Sequence, residues 1–177
     1  MVSLKGNTVF LRALESEDLA FLYKLENDPA MWEISGTLTP FSKDVLKNYL
    51  DNAHRDIFEA KQLRLCICDS QGKAIGFVDL FDFDPHHQRA GIGLVILEEG
   101  ERNKGAGTEA VQLMVDYTFS HLRLKQLFAN VLAGNEASIH LFHKLGFQMV
   151  GTKKDWIYGN DGFKDEIMFQ KINSKCT

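Results

Sequence analysis

The chain has no excess of positive charge. Its 177 residues hold 20 Lys and Arg against 24 Asp and Glu, a net charge of -4. Binding to a phosphate backbone rests on a positive excess, so a nucleic-acid partner is not expected. So mild a negative balance suits a cationic small substrate without selecting one. No apolar run approaches the ~20 residues of a membrane helix. The opening stretch MVSLKGNTVFLRAL lacks the apolar core and small-residue cleavage site of a signal peptide. Cysteine is scarce and odd in number, at Cys66, Cys68 and Cys176. Cys66 and Cys68 fall on one face of one strand as reduced core residues, and a C-x-C metal site finds no partners. The adjacent His86 and His87 point apart on an extended chain and have no third ligand at metal spacing. No metal is expected, and the cytoplasm is the expected compartment. Repeats, low-complexity tracts and linkers are absent too, so residues 1–177 are read as one domain with a core over about 4–171.

What is present alternates between two periods. TVFLRAL (8–14) reads as a strand, and Ser16 is placed to cap a helix striped by Leu19, Leu22 and Leu25. Residues 28–41 carry two prolines and a glycine and read as a loop. Ser42 starts a second helix with the face Val45, Leu46, Tyr49, Leu50, Ala53 and Ile57. LRLCICD, AIGFVDLFDF and AGIGLVIL form an antiparallel meander. A glycine-rich loop, a helix over about 105–121, a strand over 124–132 and a short helix over 136–146 follow. GNDG between two strand patterns signals a terminal hairpin. The order β-α-α-β-β-β-α-β-α-β-β implies an α/β fold, one mixed twisted sheet with helices on both faces.

The loop ERNKGAGTEAV (101–111) runs directly into a helix. Amide groups at a helix N-terminus lack internal partners and carry partial positive charge, so a phosphate completes their bonding. Gly105 and Gly107 carry no Cβ, and Arg102 and Lys104 add positive charge. Gly100 and Gly105 have Walker spacing, but Ala106 stands where the lysine is required. GAGTEA matches a dinucleotide pattern, yet seven residues separate Gly105 from the strand end at Leu97, where the turn should follow at once.

Arg-x-x-Gly-x-Gly opening a helix resembles the coenzyme A pyrophosphate loop of the GNAT superfamily of N-acetyltransferases. NEASIHLFHKLGF (135–147) resembles the same family's second signature, and the element order also fits. RAGIGLVI, MVDYTF and IHLFHKLGF are similar to segments of the spermidine N-acetyltransferases, with ribosomal-protein N-terminal acetyltransferases as neighbours. The resemblance implies acetyl-CoA as co-substrate and a small-molecule or peptide amine as acceptor. It also implies a homo-oligomer, because relatives form dimers and larger rings.

Site roles follow from the same resemblance. Val95, Ile96 and Leu97 would pair with the pantetheine arm. Arg102, Asn103, Lys104, Gly105, Ala106, Gly107 and Thr108 would surround the pyrophosphate, and Asn135 would bond the cofactor arm or cap its helix. The acceptor pocket is expected near Trp32, Glu33 and Asp79. Acetyl transfer from a thioester to an amine needs a proton removed from the ammonium and one returned to sulfur. At pH 7 the neutral form costs roughly 4.6 kcal/mol for an amine of pKa about 10.4, and about 1–1.4 kcal/mol for an α-amine. Asp82 is the candidate base. A tyrosine of the spermidine enzymes is replaced by Phe142, which has no proton to give, and Ser138 is the candidate group near the sulfur. A glutamate common in relatives is replaced by Gly91. Asp79 and Asp82, at odd spacing on one strand, point to opposite faces, so at most one meets the cleft.

Overall fold

The computed structural model describes residues 3–97 and 105–175. Seven strands form one sheet in the order β1-β2-β3-β4-β5-β7-β6. They are β1 (Val9–Arg12), β2 (Leu63–Asp69), β3 (Ala74–Asp84), β4 (Arg89–Ile96), β5 (Gln126–Leu132), β6 (Gln148–Gly159) and β7 (Gly162–Ile172). All neighbours are antiparallel except β4 and β5. Helices α1 (Leu19–Glu26) and α3 (Lys43–Asp51) lie on one face, α5 (Ala106–Ser120) and α6 (Glu136–Lys144) on the other. Strand alternation sorts the faces. Ile67, Leu80, Ala90, Ile92, Leu127 and Ala129 pack with α5 and α6, whereas Cys66, Cys68 and Phe77 pack with Leu22, Leu25 and Leu46 of α1 and α3.

Two short helices interrupt the stretches read as loop or as one long helix. Residues expected as loop contain α2 (Pro29–Ser35), with Asp28 capping the Ala30 amide, Pro29 at the first position and Gly36 left-handed at the end. The expected second helix breaks after Asp51, and α4 (Ile57–Ala60) begins anew behind the Asp56 cap. Val45, expected on the apolar face, is exposed. Ser16 does not cap α1. It opens a short 3-10 turn instead, and the buried Asp18 accepts from both Arg12 guanidinium nitrogens (2.7 and 2.8 Å) and from the Glu15 amide (2.8 Å). Burial raises the Asp18 pKa, but the Arg12 bond, the Glu15 amide and the Arg12 charge outweigh it and leave it lowered.

Cys66 and Cys68 are fully buried with sulfurs 3.8 Å apart. Burial, then the neighbouring thiol, pushes the Cys66 pKa up to about 12, so it stays an inert thiol. Cys176 lies outside the described residues. The hairpin forms as expected, with Gly159 paired to Gly162 across Asn160 and Asp161. On the opposite edge, Glu109 of α5 fastens the start of β1. Its carboxylate accepts from the amides of Asn7 (2.6 Å), Thr8 (2.9 Å) and Val9 (3.0 Å) and from the Thr8 hydroxyl (2.5 Å).

Candidate active site

The parallel junction of β4 and β5 is short. Only Arg89–Gly91 pairs with Gln126–Phe128, and beyond that register a cleft opens. It encloses about 630 Å³ and runs from the parted strands to the undersides of α1, α2 and α3. At the strand end it is lined by Ile92, Gly93, Leu94 and Val95 of β4, by Asn130, Val131 and Leu132 of β5, and by Asn135, Ser138 and Phe142. A strand edge facing a gap offers backbone groups to an extended ligand. Ser138 and Phe142, four apart on α6, share one face. The Asn135 side chain accepts from the Ser138 amide (3.2 Å), so it does cap the helix. Its amide nitrogen makes no hydrogen bond among the described residues and is available to a ligand.

The cleft also carries charge. Arg64 of β2 donates through Nε (2.6 Å) and a terminal nitrogen (3.1 Å) to Asp79, and through the other (2.5 Å) to Glu26. Burial lowers its pKa, but the charge and hydrogen bonds of Asp79 outweigh that and raise it, so the guanidinium stays charged. Glu33 of α2 pairs with Lys164 of β7 (2.6 Å), and Glu166 of β7 pairs with Lys153 of β6. Tyr49 of α3 completes this wall, its pKa raised by burial.

The residues expected from sequence are partly assembled here. Glu33, Asp79, Val95, Asn135 and Ser138 line the cleft together. Ile96 packs on the main core and Leu97 is buried in the smaller one, and neither lines the cleft. Trp32 is not a pocket wall: its indole donates to the Glu26 carbonyl (2.9 Å) and anchors α2. Asp82 corrects the choice of base. A bulge between Phe81 and Asp84 gives Asp82 a left-handed φ of 48° and leaves it exposed outside the cleft. Gly105 takes φ 90° as the N-cap of α5, which a side chain would resist. Gly107 is an ordinary helical residue instead; its bareness matters for packing, since a Cβ would sit 3.0 Å from Leu94 Cδ1. Ala106 is buried and Thr108 half-buried in the same first turn. Arg102, Asn103 and Lys104 lie outside the described residues.

Arg64, Glu26, Tyr49, Glu166, Lys153 and Lys164 were not anticipated. Arg64 had a signal, a cation within LRLCICD on the same face as two buried cysteines. Glu166 had none, because only the register that sets it opposite Leu132 brings it to the cleft.

The Acetyltransferase (GNAT) domain family matches residues 8–148. Spermidine N(1)-acetyltransferase of Escherichia coli (strain K12) is 31% identical over 163 residues, spanning 92% of this chain and 84% of its own. The crystal structure of spermidine N-acetyltransferase from Vibrio cholerae in complex with CoA and spermine superposes with a TM-score of 0.85 at 26% identity, covering 94% of this chain and 96% of that one. A dodecameric structure of the Vibrio cholerae enzyme aligns with a TM-score of 0.78 at 26% identity, over 94% and 95% of the two chains.

Proposed function

The chain belongs to the GNAT acetyltransferase family and is an acetyl-CoA-dependent N-acetyltransferase; on that premise we propose that its acceptor is a polyamine or a similar small polycationic amine. One observation carries the choice. Glu26, Glu33, Asp79 and Glu166 all line the cleft, Asp79 and Glu166 one strand over from the parted β4 and β5 and Glu26 and Glu33 on the helices above. Carboxylates there attract a polycation and hold its ammonium groups in line with the reacting end. The relatives that act on spermidine support the same reading.

The slot fits the extended arm of coenzyme A. Backbone of β4 and the Asn135 amide would hold the arm, and the Gly105-capped start of α5 would meet the pyrophosphate. Acetyl-CoA supplies an acetyl thioester whose thiolate leaves. Ser138, in the cleft wall beside the parted strands, would donate a hydrogen bond from its hydroxyl to that sulfur as charge develops. Phe142 closes the wall behind it, 3% exposed and packed on Phe147 (5.1 Å) and Phe169 (6.1 Å). Assembly into a homo-oligomer is part of this proposal. It is supported by the dodecameric relative and by exposed Trp156, Tyr158 and Phe163 on the hairpin.

Thiol release from acetyl-CoA with spermidine and with a short peptide, each at low and high salt, tests the acceptor. Spermidine is expected to be the better substrate. Its KM should rise with ionic strength, because attraction in a part-solvated cleft is screened over about 8–10 Å. Faster peptide acetylation without a salt effect would overturn the polyamine reading.

A further inference from the structure

Each of these cleft carboxylates already holds a cation of the chain itself, but the cations are not alike. Arg64 is part of the wall, clamped by Glu26 and Asp79 and set 5.3 Å over the Phe77 ring. Lys153 is held several ways, by Glu166, by Asn130 (3.5 Å) and by the Trp156 ring (4.9 Å). Lys164 has one close partner among the described residues, Glu33 at 2.6 Å. A lysine is a hydrated point charge on a flexible stem, and both members of this pair keep 29% of their side-chain surface exposed. The Glu33 oxygen that meets Lys164 is itself shielded from bulk water, so an ammonium exchanging with Lys164 comes from inside the cleft that Glu33 lines.

Its position gives the exchange a consequence. Glu33 belongs to α2, a helix with no buried residue of its own. Its Oε1 lies so close to the hairpin backbone that a Cβ at Gly159 would collide with it. Glu33 thus joins α2 to the hairpin across the cleft, and Lys164 occupies the carboxylate that an arriving ammonium needs.

We propose that Lys164 is a resident competitor for the acceptor. An ammonium group of the amine takes its place on Glu33, and Lys164 thereby sets how much cationic acceptor the enzyme requires. This rests on the polycationic reading above. One ammonium replaces another, so the number of ion pairs is conserved and the acceptor gains little from this contact. Removing Lys164 leaves Glu33 open, and the acceptor then keeps the whole of the attraction.

Steady-state kinetics with spermidine on the full chain test this, with calorimetric spermidine binding as a second readout and circular dichroism confirming that each variant folds. Lys164→Gln is expected to lower the spermidine KM and Kd roughly threefold to tenfold, the scale of one part-solvated charge. Lys164→Arg, whose fork grips a carboxylate more tightly, keeps the spermidine KM at or above the wild-type value, Glu33→Gln raises KM, and the acetyl-CoA constant stays put in all three. A wild-type enzyme that acetylates spermidine, with Lys164→Gln showing an unchanged or higher KM, overturns the competitor and leaves the polyamine reading standing. A wild type that neither binds nor acetylates spermidine but acetylates peptide overturns both.

Discussion

A carboxylate that receives four hydrogen bonds from the start of one strand resists protonation. Burial raises the Glu109 pKa, but the Thr8 hydroxyl and the amides of Asn7, Thr8 and Val9 outweigh it and bring it down from 4.5 to about 2. The native state therefore binds this proton less readily than the unfolded chain. The resulting stability is complete above about 4.5 and is lost as pH falls toward about 2. Glu109→Gln should lower the Tm at neutral pH and flatten its fall across that acid window, which thermal unfolding at stepped pH will check. Gly91 illustrates a different economy. A Cβ there would strike the Phe81 ring, which stands edge-on to Phe128 at 5.6 Å. The missing glutamate was visible in the sequence. The aromatic ring filling its space was not, because only the pairing of Phe81 with Gly91 places the two together.

At the scale of an element, α6 brings to the cleft the residues proposed for the chemistry. Asn135 caps it, and Ser138 and Phe142 follow at a spacing that turns both to the cleft. A hydrogen bond that strengthens as negative charge builds acts on turnover rather than on binding. Ser138→Ala should lower kcat on the order of tenfold to a hundredfold, the worth of one bond to a charged group, with acetyl-CoA affinity nearly unchanged. Single-turnover kinetics beside cofactor calorimetry will show it. A Phe142→Tyr enzyme that gains rate while Ser138→Ala loses none would assign the task to position 142 instead. The terminal hairpin was equally legible, since GNDG can hardly do anything but turn. α2 was not: two prolines and a glycine suggested a loop, although Asp28-Pro29 and Gly36 are also a start and a stop for a two-turn helix. Asp82 misled for a related reason. Alternation assumes an unbroken strand, and a bulge resets the count.

Across the whole molecule, the order of elements was readable because each has its own period. Arg64 and Glu166 reach one cleft, and the hairpin lysines meet its carboxylates, only through sheet register, which no local pattern carries. The hairpin also presents its own surface. Tyr158 and Phe163 are cross-strand partners with rings 5.0 Å apart, and both stay exposed. Light scattering should find a mass that is a multiple of the single chain, and Tyr158→Asp with Phe163→Asp should shift it downward. The three-residue junction between β4 and β5 has a further result. It divides the sheet into two antiparallel halves that share few rungs and are joined chiefly through the common core under α5 and α6. A ligand lying in the gap supplies rungs that the chain omitted and ties the halves into one cooperative unit. On the proposed seating, the break that admits the acetyl donor would also make the donor a structural part of the enzyme, and saturating acetyl-CoA should slow its proteolysis.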